Sequence, residues 1–199
     1  MVRKATETKP LRDLCSKVKT GLSSPYFKDG DTTVKVVKAK DIDERGRLLV
    51  DQVDTSKVKW SPAVDNCRLV PGDIIISLKG STFKIAIIPE EAIDFVISAN
   101  LVSLSLKPVI KPEIVSFFLR SSPFTRTMQN LAATGGMPSL RTEHLLGIEI
   151  PVPTLEKQNE LYAYILEVEE LYLLLEEEMH SISRLSDAIV CDMIGRIKR

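Results

Sequence analysis

The chain has 199 residues, 44% of them hydrophobic and 27% charged. That composition is globular and excludes general disorder, a collagen-like repeat and a disulfide-scaffold toxin. Its 27 Lys+Arg balance 27 Asp+Glu only as a whole: residues 1–154 carry 22 basic and 17 acidic side chains, whereas 155–199 carry five and ten.

Taken in chain order, Val34-Lys35-Val36-Val37 alternates like a strand. The β-branched runs 73–78 and 84–88 flank Lys79-Gly80-Ser81-Thr82 and predict two strands around a turn. Phe95-Val96-Ile97-Ser98 and the run 101–106 continue the sheet, the second with clear period two. Pro112 opens a helix through Leu119 and Pro123 another through Leu131, each proline sitting where its missing N–H is harmless. Gly135-Gly136 then stops the second helix, and Ile148-Glu149-Ile150 reads as a last short strand. The expected body is mixed α and β, with strands first and helices after.

Beyond Pro151-Val152-Pro153 the chain changes in kind, with no Gly and no Pro from Leu155 to Ile194. Thr154 predicts a helix cap, and Glu156 falls in the first turn, where the helix dipole favours an acid. Steps of four and three select Leu161, Ile165, Val168, Tyr172, Leu175, Met179, Ile182, Ser186, Ile189 and Met193. All but Ser186 are apolar, a sustained heptad seam, and Tyr164, Leu171 and Leu185 widen it. Apolar helical spacing usually means a core helix, but forty helical residues span about 60 Å. That is too long to lie wholly against so small a body, so much of the stripe calls for a partner helix. The reading is an α+β chain: a body over 1–153 and a long partner-seeking helix over 154–199.

Little in the sequence carries chemistry. Neither His144 nor His180 has a ligand residue four positions further on, and Cys15, Cys67 and Cys191 are too far apart for a zinc motif. Their odd number fits a reducing compartment. No Walker loop, dinucleotide glycine fingerprint or nucleophile elbow is present, and Glu176-Glu177-Glu178 reads as a solvated helix face. Residues 1–7 lack the apolar core of a signal peptide, and no apolar run reaches the roughly 18 residues of a membrane span. The expectation is a cytoplasmic, non-catalytic protein with no metal and no cofactor of its own.

A set of ordered segments adds a resemblance. Val18-Lys19-Thr20-Gly21, then Leu69-Val70-Pro71-Gly72-Asp73-Ile74-Ile75-Ile76-Ser77-Leu78-Lys79-Gly80-Ser81, then Ser98-Ala99-Asn100-Leu101 are followed by Thr134-Gly135-Gly136-Met137-Pro138-Ser139-Leu140. Ile150-Pro151-Val152-Pro153-Thr154-Leu155-Glu156-Lys157-Gln158 closes the series and leads into the long helix. In this order the segments resemble the specificity subunit of type I restriction–modification systems, over nearly the whole chain. A full subunit of that kind has two target recognition domains and two long helices, whereas one of each is present here, so the chain resembles a half-size form.

The resemblance implies a target recognition domain that docks on double-stranded DNA and a helix that dimerises with a second copy, antiparallel. Such a homodimer reads a bipartite, palindromic site. Modification (methyltransferase) subunits, which hold the methyl donor, are the implied partners for adenine N6 methylation, and a restriction motor subunit is a further one. Phosphate contacts would supply affinity and a few side chains would read base edges. Turn residues are the favoured contacts, and the candidates are Lys19, Thr20, Tyr26, Lys79, Ser81, Lys84, Arg126 and Arg141. For any single one of them solvated surface is the ordinary explanation, for Tyr26 a half-buried aromatic, and Gly80, Gly135 and Gly136 are assigned to backbone geometry. The alternative class is a coiled-coil adaptor whose basic body binds a partner other than DNA.

Overall fold

A computed structural model describes residues 7–27, 30–80, 82–132 and 138–197. In chain order the elements are β1 (Thr8–Pro10), α1 (Leu11–Leu14), β2 (Cys15–Thr20), β3 (Thr32–Val37), β4 (Thr55–Val58), α2 (Pro62–Asn66), β5 (Ile74–Ser77) and β6 (Ile85–Ile87). β7 (Phe95–Ile97), β8 (Leu101–Leu106), α3 (Pro112–Arg120), α4 (Ser122–Leu131), α5 (Thr142–Leu146), β9 (Glu149–Pro151) and α6 (Leu155–Ile197) follow. The α+β class stands, but helices and strands interleave from the start rather than falling into two blocks. Gly135-Gly136, the expected stop for the second helix, lie outside the described residues; α4 already ends at Leu131, with Ala132 extended behind it.

Three sheets form the body. A four-stranded antiparallel sheet has the order β2-β8-β5-β6, and a three-stranded one the order β4-β3-β7 with β3 and β7 parallel. A two-stranded ribbon joins β1 to β9. Ile74, Ile75 and Ile76 of β5 are all fully buried, as a central strand covered on both faces demands, and each contributes about 1.5–3 kcal/mol of burial. Val36, Val37, Val96 and Ile97 fill the core from the three-stranded sheet.

Two compact units divide at Gln158/Asn159, five residues beyond the boundary expected at 153. Gln158 is the physical reason. Its side chain is buried; Oε1 accepts from the Lys111 amide at 3.1 Å, and Nε2 donates to the Val109 and Pro153 carbonyls, each at 3.0 Å. The first helical turn therefore belongs to the body. Thr154 Oγ1 accepts from the Lys157 amide at 3.4 Å, as the cap reading expects.

The second unit continues α6, a 43-residue helix about 65 Å long. Along the seam Val168, Tyr172, Leu175, Met179, Ile182, Ile189 and Met193 are exposed, with Met179 at 69% and Ile182 at 63%; Leu161 is half-buried and Ile165 buried. Leu166, Leu173 and Leu174, off the seam, are exposed too. No helix of the described residues is long and apolar enough to cross a membrane.

Candidate nucleic-acid interface

The pattern Ser16-Lys17-Val18-Lys19-Thr20 suggests a strand or turn with its lysines in water. β2 takes the opposite phase at one position: Lys19 is buried and Val18 is 37% exposed. Lys19 Nζ lies 2.6 Å from Asp73 Oδ2 and donates to the Arg68 carbonyl at 2.9 Å. Asp73 in turn accepts from Ser103 Oγ at 3.0 Å, Ser105 Oγ at 2.6 Å and the Val70 amide at 3.2 Å. Those donors compensate a carboxylate removed from water, which is what makes a buried ion pair tolerable. Lys19 is thus a strand-to-strand clamp, and its buried, ion-paired ammonium is not offered to a phosphate.

The register places other candidates side by side. Thr20 pairs with Val102, and Val102 pairs on its other side with Ile76. The end of β2, the start of β8 and the end of β5 therefore share one end of the four-stranded sheet. Beyond the strands the Gly21 amide donates to the Leu101 carbonyl at 3.2 Å, and the Leu78 amide to the Asn100 carbonyl at 2.8 Å. Gly21 is needed there, because a Cβ would lie 2.0 Å from the Ser98 carbonyl oxygen. A fourth segment meets the same end: Lys79 bridges Ser139, the Leu140 amide donates to the Leu78 carbonyl at 2.8 Å, and Arg141 follows. Thr20, Lys79 and Arg141 are exposed, and Gly80 has the positive φ of 126° that its turn requires.

An open cleft of about 450 Å³ adjoins Thr20, lined among others by Lys17, Ser23, Tyr26 and Asn66. It joins Tyr26, which is 46% exposed, to the Thr20 group. Lys17, Asn66 and Asn100 are exposed polar residues of this surface that the sequence reading missed. Lys17 was obscured by its alternation with Val18; Asn66 carries no sequence signal, and Asn100 only that of the resembling segment 98–101, since turns are rich in asparagine for backbone reasons alone.

The remaining candidates stand differently. Ser81 lies outside the described residues. Lys84 is half-buried and ion-paired with Glu44, and its amide donates to Ser77 Oγ at 2.7 Å. Arg126 is exposed on α4, and no strand register links it to the sheet end. Arg68, beside the cleft residue Cys67, is held by Asp65 and Asp94 and lies 5.6 Å from the Trp60 ring centre. Cys67 Sγ donates to the Thr20 carbonyl at 3.1 Å, and burial pushes its thiol up against the opposing pull of Lys19 and Lys17. Among the described residues no group of three His, Cys, Asp or Glu could hold a metal ion. The chemistry available at the sheet end is recognition: hydroxyl, amide and cationic groups with no carboxylate in segments 20–21, 78–80, 98–101 or 138–141.

The family model of the type I restriction modification DNA specificity domain matches residues 4–182. The HsdS subunit from Thermoanaerobacter tengcongensis is similar in fold, with a TM-score of 0.63, 18% identity, and coverage of 86% of this chain and 43% of that one. A chain from work on complex assembly and conformational transition of the type I R-M system gives a TM-score of 0.61 at 14% identity, covering 88% and 41%. The type I restriction-modification S subunit from M. genitalium gives 0.51 at 16% identity, covering 88% and 44%. At these identities the likeness is one of fold, and the chain spans about two fifths of the length of those proteins, 41–44%. No curated protein matches the sequence.

Proposed function

Since the chain belongs to the type I restriction modification DNA specificity domain family, we propose that its body reads duplex DNA and its long helix brings two bodies together on one target. The observation that carries this is the family match over residues 4–182, which spans the carboxylate-free sheet end. The contacts assigned are Thr20, Tyr26, Lys79 and Arg141 at or beside that end, with Ser81, Lys84 and Arg126 as further phosphate partners. Cations and hydroxyls there supply affinity by displacing counterions.

The dimer is assigned to the seam from Leu161 to Met193, exposed from Val168 onward with Ile165 already buried in its own chain, and its orientation has support in charge. Residues 155–178 hold eight acidic and one basic side chain, whereas 179–199 hold two acidic and four basic. A parallel pair sets the acidic halves against each other; an antiparallel pair sets each against the more basic half. Two identical bodies related by a two-fold axis read the same half-site twice, so the target is bipartite and palindromic. Modification subunits that carry the methyl donor then methylate adenine N6 within it, and a restriction motor subunit completes the system, while this chain catalyses nothing itself. Co-expression with a type I modification subunit and mapping of the methylated adenines tests the reading. A gapped palindromic motif is expected; an asymmetric motif overturns the homodimer, and no sequence-specific methylation overturns the recognition role.

A further inference from the structure

The seam of α6 is its own complement when reversed. Its alternating steps of four and three read the same from either end, so a second copy laid antiparallel keeps apolar positions opposite one another only when it slides by whole heptads. Burial and charge separate the few registers that remain.

With the two-fold axis at Glu177, every seam position from Leu161 to Met193 faces another. That register uses the most seam, but it packs the second copy's Ile189 and Met193 on Ile165 and Leu161. Ile165 is 8% exposed and Leu161 is half-buried in its own chain, so little of either surface is left to cover. The positions flanking the seam disfavour it too. Glu176 meets the second copy's Glu176, and Glu178 its Glu178. Like charges opposed across a pair of helices are a chief means by which one alignment is rejected for another.

A slide of one heptad moves the axis to a point between His180 and Ser181. Val168 then faces Met193, Tyr172 faces Ile189 and Met179 faces Ile182, so the paired stretch begins where the seam becomes exposed. On the flanks Glu176 meets Ser183 and Glu178 meets Leu185, with Glu169 opposite Val190 and Leu171 opposite Asp192. No acid meets another. One heptad further, Val168 and Tyr172 lose their partners and Glu178 meets Asp192.

We propose that two copies pair antiparallel in this middle register, about an axis between His180 and Ser181, through the seam from Val168 to Met193. The proposal rests on the dimer assigned above and sharpens it to one alignment. Each heptad of slip changes the axial separation of the two Asn159 residues by about 10 Å, so the register sets how far apart the two bodies are carried.

The native Cys191 offers the measurement. It is exposed and stands two positions before Met193, about 200° around the helix from it and on the outer face, where a spin label leaves the pairing intact. Cys15 and Cys67 are buried and stay unlabelled. The two labels lie about 32 Å apart along the axis in the proposed register, about 42 Å with the axis at Glu177 and about 21 Å one heptad further on. Helix width brings these to about 37, 46 and 29 Å through space, against about 20 Å for a parallel pair. A dipolar distance near 37 Å is expected from the labelled full chain at high concentration. A distance near 46 or 29 Å overturns the register and leaves the dimer standing; one near 20 Å overturns the antiparallel orientation. Absence of dipolar coupling overturns the dimer, and this proposal with it. Cross-linking reads the same alignment by contact. In a Cys191→Ser chain, Tyr172→Cys mixed with Ile189→Cys is expected to form a disulfide between copies under mild oxidation. Preferential cross-linking of Tyr172→Cys with Ile182→Cys instead overturns the register.

Discussion

In the body, even charges that leave water find partners in the same chain: Lys19 and Asp73 are each 4% exposed at the side chain and bonded to each other. Along the helix from Asn159 onward the reverse holds, and apolar side chains such as Leu175, Met179 and Ile182 remain about half or more exposed. Burying one such residue is worth about 1.5–3 kcal/mol, so the body has realised its burial energy internally while the helix has left most of it for an external surface. The contrast separates what the chain needs in order to fold from what it needs in order to assemble. A long helix can afford this division because its backbone bonds are local, whereas a sheet must gather distant strands before it gains anything.

The largest way to break the contrast lies in the body. Asp73→Ala leaves the Lys19 ammonium buried beside two serine hydroxyls that have also lost their acceptor. The expected loss is about 3–5 kcal/mol of stability, read by chemical denaturation, with the helical signal of the second unit changing far less than the tertiary signal of the body. Next comes the helix. Leu175→Glu combined with Ile182→Glu is expected to raise the dissociation constant of the dimer about 100-fold or more, near 2.7 kcal/mol, in sedimentation equilibrium. The unfolding midpoint of the body should stay where it was. A wild-type chain that sediments as a monomer at high concentration contradicts the dimer.

The smallest effect sharpens the contrast without altering stability. Burial pushes the Cys15 thiol up to about 11 against the opposing pull of Lys107, and Cys67 is raised for the same reason. Cys191 is exposed on α6. The thiolate is the reactive form, so at mildly alkaline pH an alkylating reagent should label Cys191 alone, as mass spectrometry of digested protein can show. Cys15 and Cys67 should react only after unfolding.

Much of this architecture is legible in the residues. The helix follows from an unbroken heptad pattern, β8 from its period of two, and the β5–β6 hairpin from two isoleucine-rich runs around Lys79-Gly80. β2 is less legible, because the partner that draws Lys19 inward is an aspartate 54 positions away and no local pattern encodes it. The end of the body at Gln158, one turn into the long helix, is hidden for the same reason: its bonds reach Val109 and Lys111, which the sequence shows only as an ordinary loop. At the candidate interface, Thr20 and Lys79 were placed by turn chemistry, but their adjacency depends on strand order. Segments near 20, 79 and 100 become neighbours only when β8 sits between β2 and β5.

One feature at the edge of the body bears on the cost of folding. β1 and β9 are zipped together, with Pro10 opposite Glu149 and the Val152 amide donating to the Glu7 carbonyl at 2.7 Å. Residues 10 and 149 are thereby held about 5 Å apart, although 138 residues lie between them. Everything from Leu11 to Ile148 is a closed loop hung from that clasp, and the Gln158 bonds to Val109 and Lys111 tie the helical turn that follows to the same loop. Closing so long a loop costs little more chain entropy than closing a short one, because that cost grows only with the logarithm of loop length.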